Sequence, residues 1–123
     1  MSEENNNLLV VIQHGKEDLE KAAVGFAAIN AALAQDYHVV VYLMFNAVEL
    51  GKKGVIDEIR MEEGEPDLPQ LFKNAIELGA EIYLCGPCCN KRGITENDLV
   101  EGLKIGGAAN LVNTAVQSGT LTF

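Results

Sequence analysis

Basic residues are scarce in this sequence of 123 residues: nine lysines and arginines stand against eighteen aspartates and glutamates, for a net charge of −9. Binding to nucleic acid or to an anionic membrane surface needs a basic face, so the charge argues against both kinds of partner. The longest apolar run, residues 39–45, is far too short to span a membrane.

Several common site motifs are also missing. The sequence has no G-x-G-x-x-G or G-x-x-x-x-G-K-[ST] loop and no G-x-S-x-G or H-E-x-x-H pattern. One C-x-x-C pair occurs, whereas zinc usually takes two separated pairs, so a metal site would require sharing between subunits. We therefore expect neither a cofactor nor a metal.

Residues 1–7, MSEENNN, are polar and acidic, which is unlike a signal peptide. We expect them to form a flexible N-terminal tail ahead of a single domain over residues 8–123. The three cysteines all lie within residues 85–89, whereas secreted frameworks use an even number of dispersed cysteines. This pattern predicts a cytoplasmic protein that uses thiol chemistry.

Apolar runs alternate with segments of helical periodicity along the chain. Strands are predicted at 8–13, 38–45, 81–85, 103–105 and 120–123, and helices at 16–34, 67–78 and 108–117. A short turn is predicted at 46–50, and residues 52–66 are predicted to form a mobile excursion with one helical turn around residues 56–59. Such alternation is typical of an α/β fold with a mostly parallel sheet of about five strands covered by helices.

Three polar groups follow successive strands: His14 after the first, Asn46 after the second and Cys85 at the end of the third. Ligands bind beyond the carboxyl ends of strands in open α/β sheets, so we expect these groups at one edge. His14 could serve there as an acid or base, although a core or surface role is equally compatible with the sequence.

The segment Cys85-Gly86-Pro87-Cys88-Cys89 is the most unusual stretch of the chain. Pro87 suits the start of a short helix, which would put Cys88 and Cys89 in its first turn and Cys85 just outside. The helix N-terminus, together with Lys91 and Arg92, is expected to depress a thiol pKa.

Two thiol functions fit this segment: a persulfide carrier on Cys85, or a dithiol redox site formed by Cys85 and Cys88. The tetrapeptide Cys85–Cys88 matches the thioredoxin motif, but the chain has no tryptophan and no proline beyond Pro87 to face it. A non-catalytic oligomeric binding module is a third possibility.

The stretch Gly79–Cys85, followed by Lys91-Arg92-Gly93-Ile94, resembles the DsrE/DsrF-like family, in which a strand ends in cysteine and an Arg-Gly-Ile/Val follows. The resemblance extends over nearly the whole chain. It implies a three-layer α/β/α sandwich that forms trimers or hexamers. It also implies that Cys85 accepts sulfur as a persulfide and relays it between donor and acceptor proteins, as a sulfurtransferase would.

The predicted site therefore has two parts. Its catalytic residues are Cys85 and Cys88, with His14 assisting. The residues expected to contact the substrate are Asn46, Gly86, Cys89 and Arg92.

Overall fold

The computed structural model describes residues 6–123, which form five strands and five α-helices. The strands are β1 (Asn7–Ile12), β2 (His38–Leu43), β3 (Glu81–Cys85), β4 (Lys104–Gly106) and β5 (Gly119–Thr122). The helices are α1 (Leu19–Ala34), α2 (Val55–Glu58), α3 (Leu68–Glu77), α4 (Gly86–Lys91) and α5 (Ala108–Val116). Short 3₁₀ helices lie at Lys16–Asp18, Phe45–Gly51 and Glu96–Asp98.

All five strands are parallel, in the spatial order β4-β3-β2-β1-β5. The predicted α/β fold with a parallel sheet of five strands is confirmed. Strands β1 and β2 are almost continuously apolar because helices cover both faces of the sheet.

The two faces of the sheet are covered unequally. Helices α1 and α3 pack on one face through the main core, where the rings of Phe26 and Phe72 lie 5.3 Å apart. On the other face a smaller cluster, which includes Val11 and Tyr42, packs against Leu111 of α5. This arrangement gives the three layers expected from the family resemblance.

Local capping follows the sequence. The Asp67 carboxylate accepts the Gln70 N–H at the start of α3, at 3.3 Å. The Thr95 N–H donates to the Asp98 carboxylate at 2.8 Å, as in a capping box, although the element that follows is a 3₁₀ turn.

Two segments differ most from the prediction. Residues 52–66 are packed on the domain rather than projecting from it, because Ile56 and Ile59 are buried in the main core. The predicted tail falls mostly on residues 1–5, which lie outside the described residues. Asn7 already belongs to β1, and the Asn6 carbonyl accepts the His38 N–H at 2.9 Å.

Between residues 6 and 123, no helix is long and apolar enough to cross a membrane.

Candidate functional site

The three cysteines lie where β3 passes into α4. Cys85 ends the strand and is the N-cap of the helix, with Pro87 in the first helical turn as predicted. Cys85 is partly exposed, whereas Cys88 is 8% and Cys89 1% exposed. All three are free thiols. Solvent therefore reaches the site chiefly through Cys85.

A chain of short contacts runs through two of these sulfurs. The Cys88 thiol donates to Cys85 Sγ, with 2.8 Å between the two sulfur atoms. The Phe45 N–H in turn donates to Cys88 Sγ at 3.1 Å. The pair is thus held together by the backbone that follows β2, and the structure brings the two predicted catalytic thiols into direct contact.

Phe45 adopts a left-handed backbone conformation, with φ at +56°. Such a conformation costs a bulky residue roughly 1–3 kcal/mol and is found most often at functional sites. The prediction that β2 continues to residue 45 is wrong, because the chain leaves the sheet after Leu43. This turn is what aims the Phe45 N–H at Cys88, and nothing in the sequence around Phe45 indicates it.

Arg92 braces the same region. Its guanidinium donates to the Cys88 carbonyl at 3.1 Å and to Asn46 Oδ1 at 2.9 Å. Its Nε lies 3.9 Å from a carboxylate oxygen of Glu49, a residue that the sequence analysis did not single out. Asn46 and Arg92 therefore do meet at the site, but their polar groups are bonded to each other and to α4.

A cavity of about 190 Å³ opens beside Cys85 on the α5 side of the sheet. Its walls are almost entirely apolar, and they are formed by Tyr42, Met44, Cys85, Pro87, Gly106, Gly107, Ala108 and Leu111. A Cβ at Gly106 would lie 2.5 Å from the Tyr42 hydroxyl, so glycine is required there. The Tyr42 hydroxyl accepts the Asn110 side-chain amide at 2.5 Å, which fixes that wall.

Two of the residues expected to contact the substrate, Gly86 and Cys89, belong to α4. A Cβ at Gly86 would lie 3.4 Å from the Gly106 carbonyl, an ordinary van der Waals contact between α4 and the end of β4. Cys89 is sealed in the main core, and its carbonyl accepts the N–H groups of Arg92 and Ile94. Neither residue lies open to the cavity.

His14 lies apart from the thiols. Its Nδ1 is 2.5 Å from a carboxylate oxygen of Glu17, and it lines a different cavity together with Phe123. Strand β2 separates β1, which precedes His14, from β3, which carries Cys85. The structure therefore does not bring His14 to the cysteines. The carboxyl edge of the sheet, where both were expected, is several strands wide.

The expectation of a depressed thiol pKa is wrong for Cys85. Burial raises the pKa of Cys85 above its ordinary value, and the hydrogen bond from the Cys88 thiol raises it further. The Cys88 N–H and the Arg92 guanidinium lower this pKa, but by less. Burial likewise raises the pKa of Cys89 to about 11. Cys85 is therefore chiefly a neutral thiol near pH 7.

Comparison with known proteins places the chain among related sequences. The sequence model of the DsrE/DsrF-like family matches residues 6–123. The chain is 33% identical to the uncharacterized protein MK0008 of Methanopyrus kandleri, over 94% of this chain and 92% of that protein. It is 35% identical to the uncharacterized protein MJ0989 of Methanocaldococcus jannaschii, over 84% and 86% of the two chains.

Solved structures share the fold. The crystal structure of the YchN protein from E. coli matches with a TM-score of 0.72 at 23% identity, over 95% of this chain and 98% of that one. The structure of MTH1491 from Methanobacterium thermoautotrophicum matches with a TM-score of 0.69 at 11% identity, over the same shares. At these identities the likeness concerns the fold alone.

The raised pKa of Cys85 predicts slow alkylation at neutral pH. Peptide mass mapping measures how fast iodoacetamide modifies Cys85. This rate should rise with pH, and the midpoint of the rise should lie above the value for a free cysteine, roughly 8.5. The same chain unfolded in guanidinium is the control, because unfolding removes the burial that opposes ionisation. A folded-state midpoint at or below the unfolded one would contradict this prediction.

The brace made by Arg92 predicts a loss of stability in Arg92→Lys. Lysine cannot contact the Cys88 carbonyl and the Asn46 amide oxygen in the same planar arrangement, so the free energy of unfolding should fall by about 1–3 kcal/mol. Urea denaturation measures the change. The neighbouring exposed residue offers a control, since Lys91→Ala should change stability by no more than about 0.5 kcal/mol. Equal effects of the two substitutions would count against the brace.

Proposed function

Because the chain belongs to the DsrE/DsrF-like family, we propose that it is a sulfur carrier that holds sulfane sulfur as a persulfide on Cys85. One observation carries the proposal. Cys85 is the partly exposed cysteine of the site. It lines a small apolar cavity at the carboxyl end of β3, within the five-stranded sheet. A cavity of about 190 Å³ is large enough for a sulfur atom and part of the group that delivers it.

The transfer step needs the Cys85 thiolate. After losing its proton, Cys85 Sγ attacks the outer sulfur of a donor persulfide, the new S–S bond forms, and the donor leaves as a thiolate. An acceptor thiolate then attacks the outer sulfur of the Cys85 persulfide in the same way. Because the pKa of Cys85 is raised, its proton must pass to a base of the bound donor before the attack, and Cys85 takes up a proton again when it leaves in the acceptor step. His14 lines a separate cavity, so this proposal gives it no part in that step.

Direct transfer requires donor and acceptor proteins that reach Cys85. The net charge of −9 favours partners with basic surfaces over acidic ones. A cytoplasmic location is part of the same proposal and is supported by the free thiols clustered in residues 85–89.

A dithiol redox function is the second candidate. The 2.8 Å separation between Cys85 Sγ and Cys88 Sγ favours it, since a disulfide could form with little movement of the helix. In that case the pair would exchange electrons with a partner disulfide and carry no additional sulfur.

Self-association also belongs to this proposal. Val112 and Val116, one turn apart on the outer side of α5, are 57% and 75% exposed. Apolar side chains so placed are common where protein surfaces associate. We propose that this side of α5 contacts further copies of the chain in a trimer or hexamer.

Incubation of the reduced protein with inorganic polysulfide tests the carrier. Intact-mass measurement should show a gain of one sulfur atom per chain, and reduction by dithiothreitol should remove it. The gain should be absent in Cys85→Ser, because the only thiol open to the cavity is lost. Cys89→Ala is the matched control and should gain sulfur like the parent protein. A loss of two hydrogen atoms in the parent protein, with no gain of sulfur at any time in Cys88→Ser, would favour the dithiol function instead.

Light scattering tests the association. The purified chain should have the mass of a trimer or hexamer at micromolar concentration, and Val116→Glu should lower it towards that of a monomer, since burying an unpaired carboxylate is unfavourable. Leu78→Glu is the control, because Leu78 is also an exposed apolar residue, at 58%, but lies at the end of α3. A monomeric parent protein would refute this part of the proposal.

A further inference from the structure

Cys88 is a second thiol that a simple carrier does not need. A relay requires one cysteine that alternately meets donor and acceptor, and Cys85 suffices for that. Cys88 is buried at 8% exposure and does not line the cavity, so a partner's thiol cannot readily reach it. Cys85 is the sulfur that it contacts.

The two sulfurs are placed for bond formation. They lie 2.8 Å apart, and a disulfide bond of about 2.0 Å would require an approach of less than about one ångström. The Phe45 N–H donates to Cys88 Sγ at 3.1 Å, and such a donor stabilises a thiolate once it forms.

Cys88 and the cavity lie on opposite sides of Cys85. Cys88 belongs to the main core, on the side of α1 and α3. The cavity is walled by Tyr42 and Leu111, which belong to the smaller cluster on the α5 side. An additional sulfur on Cys85 that occupies the cavity therefore lies on the α5 side of the sheet, whereas Cys88 lies on the other side. In thiol exchange the attacking sulfur approaches and the leaving sulfur departs along one line. Cys88 and the outer sulfur would take these two places on either side of Cys85 Sγ.

We propose that Cys88 resolves the Cys85 persulfide and releases its outer sulfur as hydrogen sulfide, an inference that rests on the proposed persulfide carrier. The Cys88 thiolate attacks the inner sulfur, which is Cys85 Sγ. The Cys88–Cys85 disulfide forms, and the bond from Cys85 Sγ to the outer sulfur breaks. The outer sulfur leaves with the electron pair as hydrosulfide and takes up the proton that Cys88 has lost, so that two thiol hydrogens leave as hydrogen sulfide. Sulfane sulfur is reduced to sulfide while two thiols are oxidised to one disulfide, and a dithiol reductant restores the thiols.

The apolar cavity suits this product. A charged hydrosulfide is poorly solvated among the side chains of Tyr42, Met44 and Leu111, so the sulfur departs as neutral hydrogen sulfide. The protein would thus convert sulfane sulfur, delivered as a persulfide or polysulfide, into free sulfide. The next reaction would be one that consumes sulfide.

A single-turnover experiment tests the inference. The reduced protein is loaded with inorganic polysulfide, freed of excess reagent by rapid desalting, and kept without added thiol. Intact mass and released sulfide are then followed with time. In the parent protein the persulfide mass should convert to a species two hydrogen atoms lighter than the reduced chain, with one sulfide released per chain.

Cys88→Ser should keep its persulfide at least about tenfold longer and release no sulfide at the early times, because the thiol in contact with Cys85 is lost. Serine is the apt replacement, since its oxygen can still accept the Phe45 N–H. Cys89→Ala, which removes a buried thiol from the same helix, should behave like the parent protein. If circular dichroism shows that Cys88→Ser does not fold, Cys88→Ala takes its place with the same measurements.

Each result is decisive. Equal persulfide lifetimes in the parent protein and the Cys88 variant would overturn the inference and leave the carrier intact, because loading would have succeeded. Sulfide release accompanied by disulfides between chains, rather than within one chain, would also overturn it. Failure of every variant and of the parent protein to gain sulfur would refute the proposed carrier itself.

Discussion

The candidate site depends on a brace between α4 and the turn after β2. Arg92 joins the Cys88 carbonyl to the Asn46 side chain, and the Phe45 N–H bonds to the Cys88 sulfur. Together with the burial of Cys88 and Cys89, these bonds fix the orientation of a helix of only six residues. The brace keeps the Cys88 sulfur in contact with Cys85 Sγ, while Cys85 lines the cavity. It also explains why the left-handed conformation of Phe45 is retained despite its cost.

Two opposing influences act on the Cys85 thiol. The helix N-terminus and the Arg92 guanidinium favour the thiolate, whereas burial and the neighbouring Cys88 thiol favour the neutral form. The neutral form is favoured because the site is small and apolar and α4 is short. A thiol of this kind is protected from indiscriminate oxidation, since the thiolate is the form that reacts. Its reactivity then depends on what enters the cavity, which suits a carrier that meets particular partners.

The architecture of the chain is readable from its sequence to within a few residues. Continuous apolar runs mark β1 and β2, Asp67 marks the start of α3, and Pro87 marks the start of α4. These features are local, because backbone preference and the burial of both sheet faces act on neighbouring residues. Errors arise where tertiary packing decides the outcome, as at Ile56 and Ile59, whose burial holds a charged segment against the domain.

The sequence by itself determined that Cys85 ends the third strand and that Cys88 follows in the first turn of a helix, since strand length and proline position fix both. Only the tertiary structure decided which groups share the site. It brought Arg92, Asn46 and Phe45 to Cys88, placed Tyr42 and Leu111 around the cavity, and kept His14 away. The raised pKa of Cys85 was likewise a tertiary outcome, because desolvation depends on residues distant in the chain that pack around the sulfur.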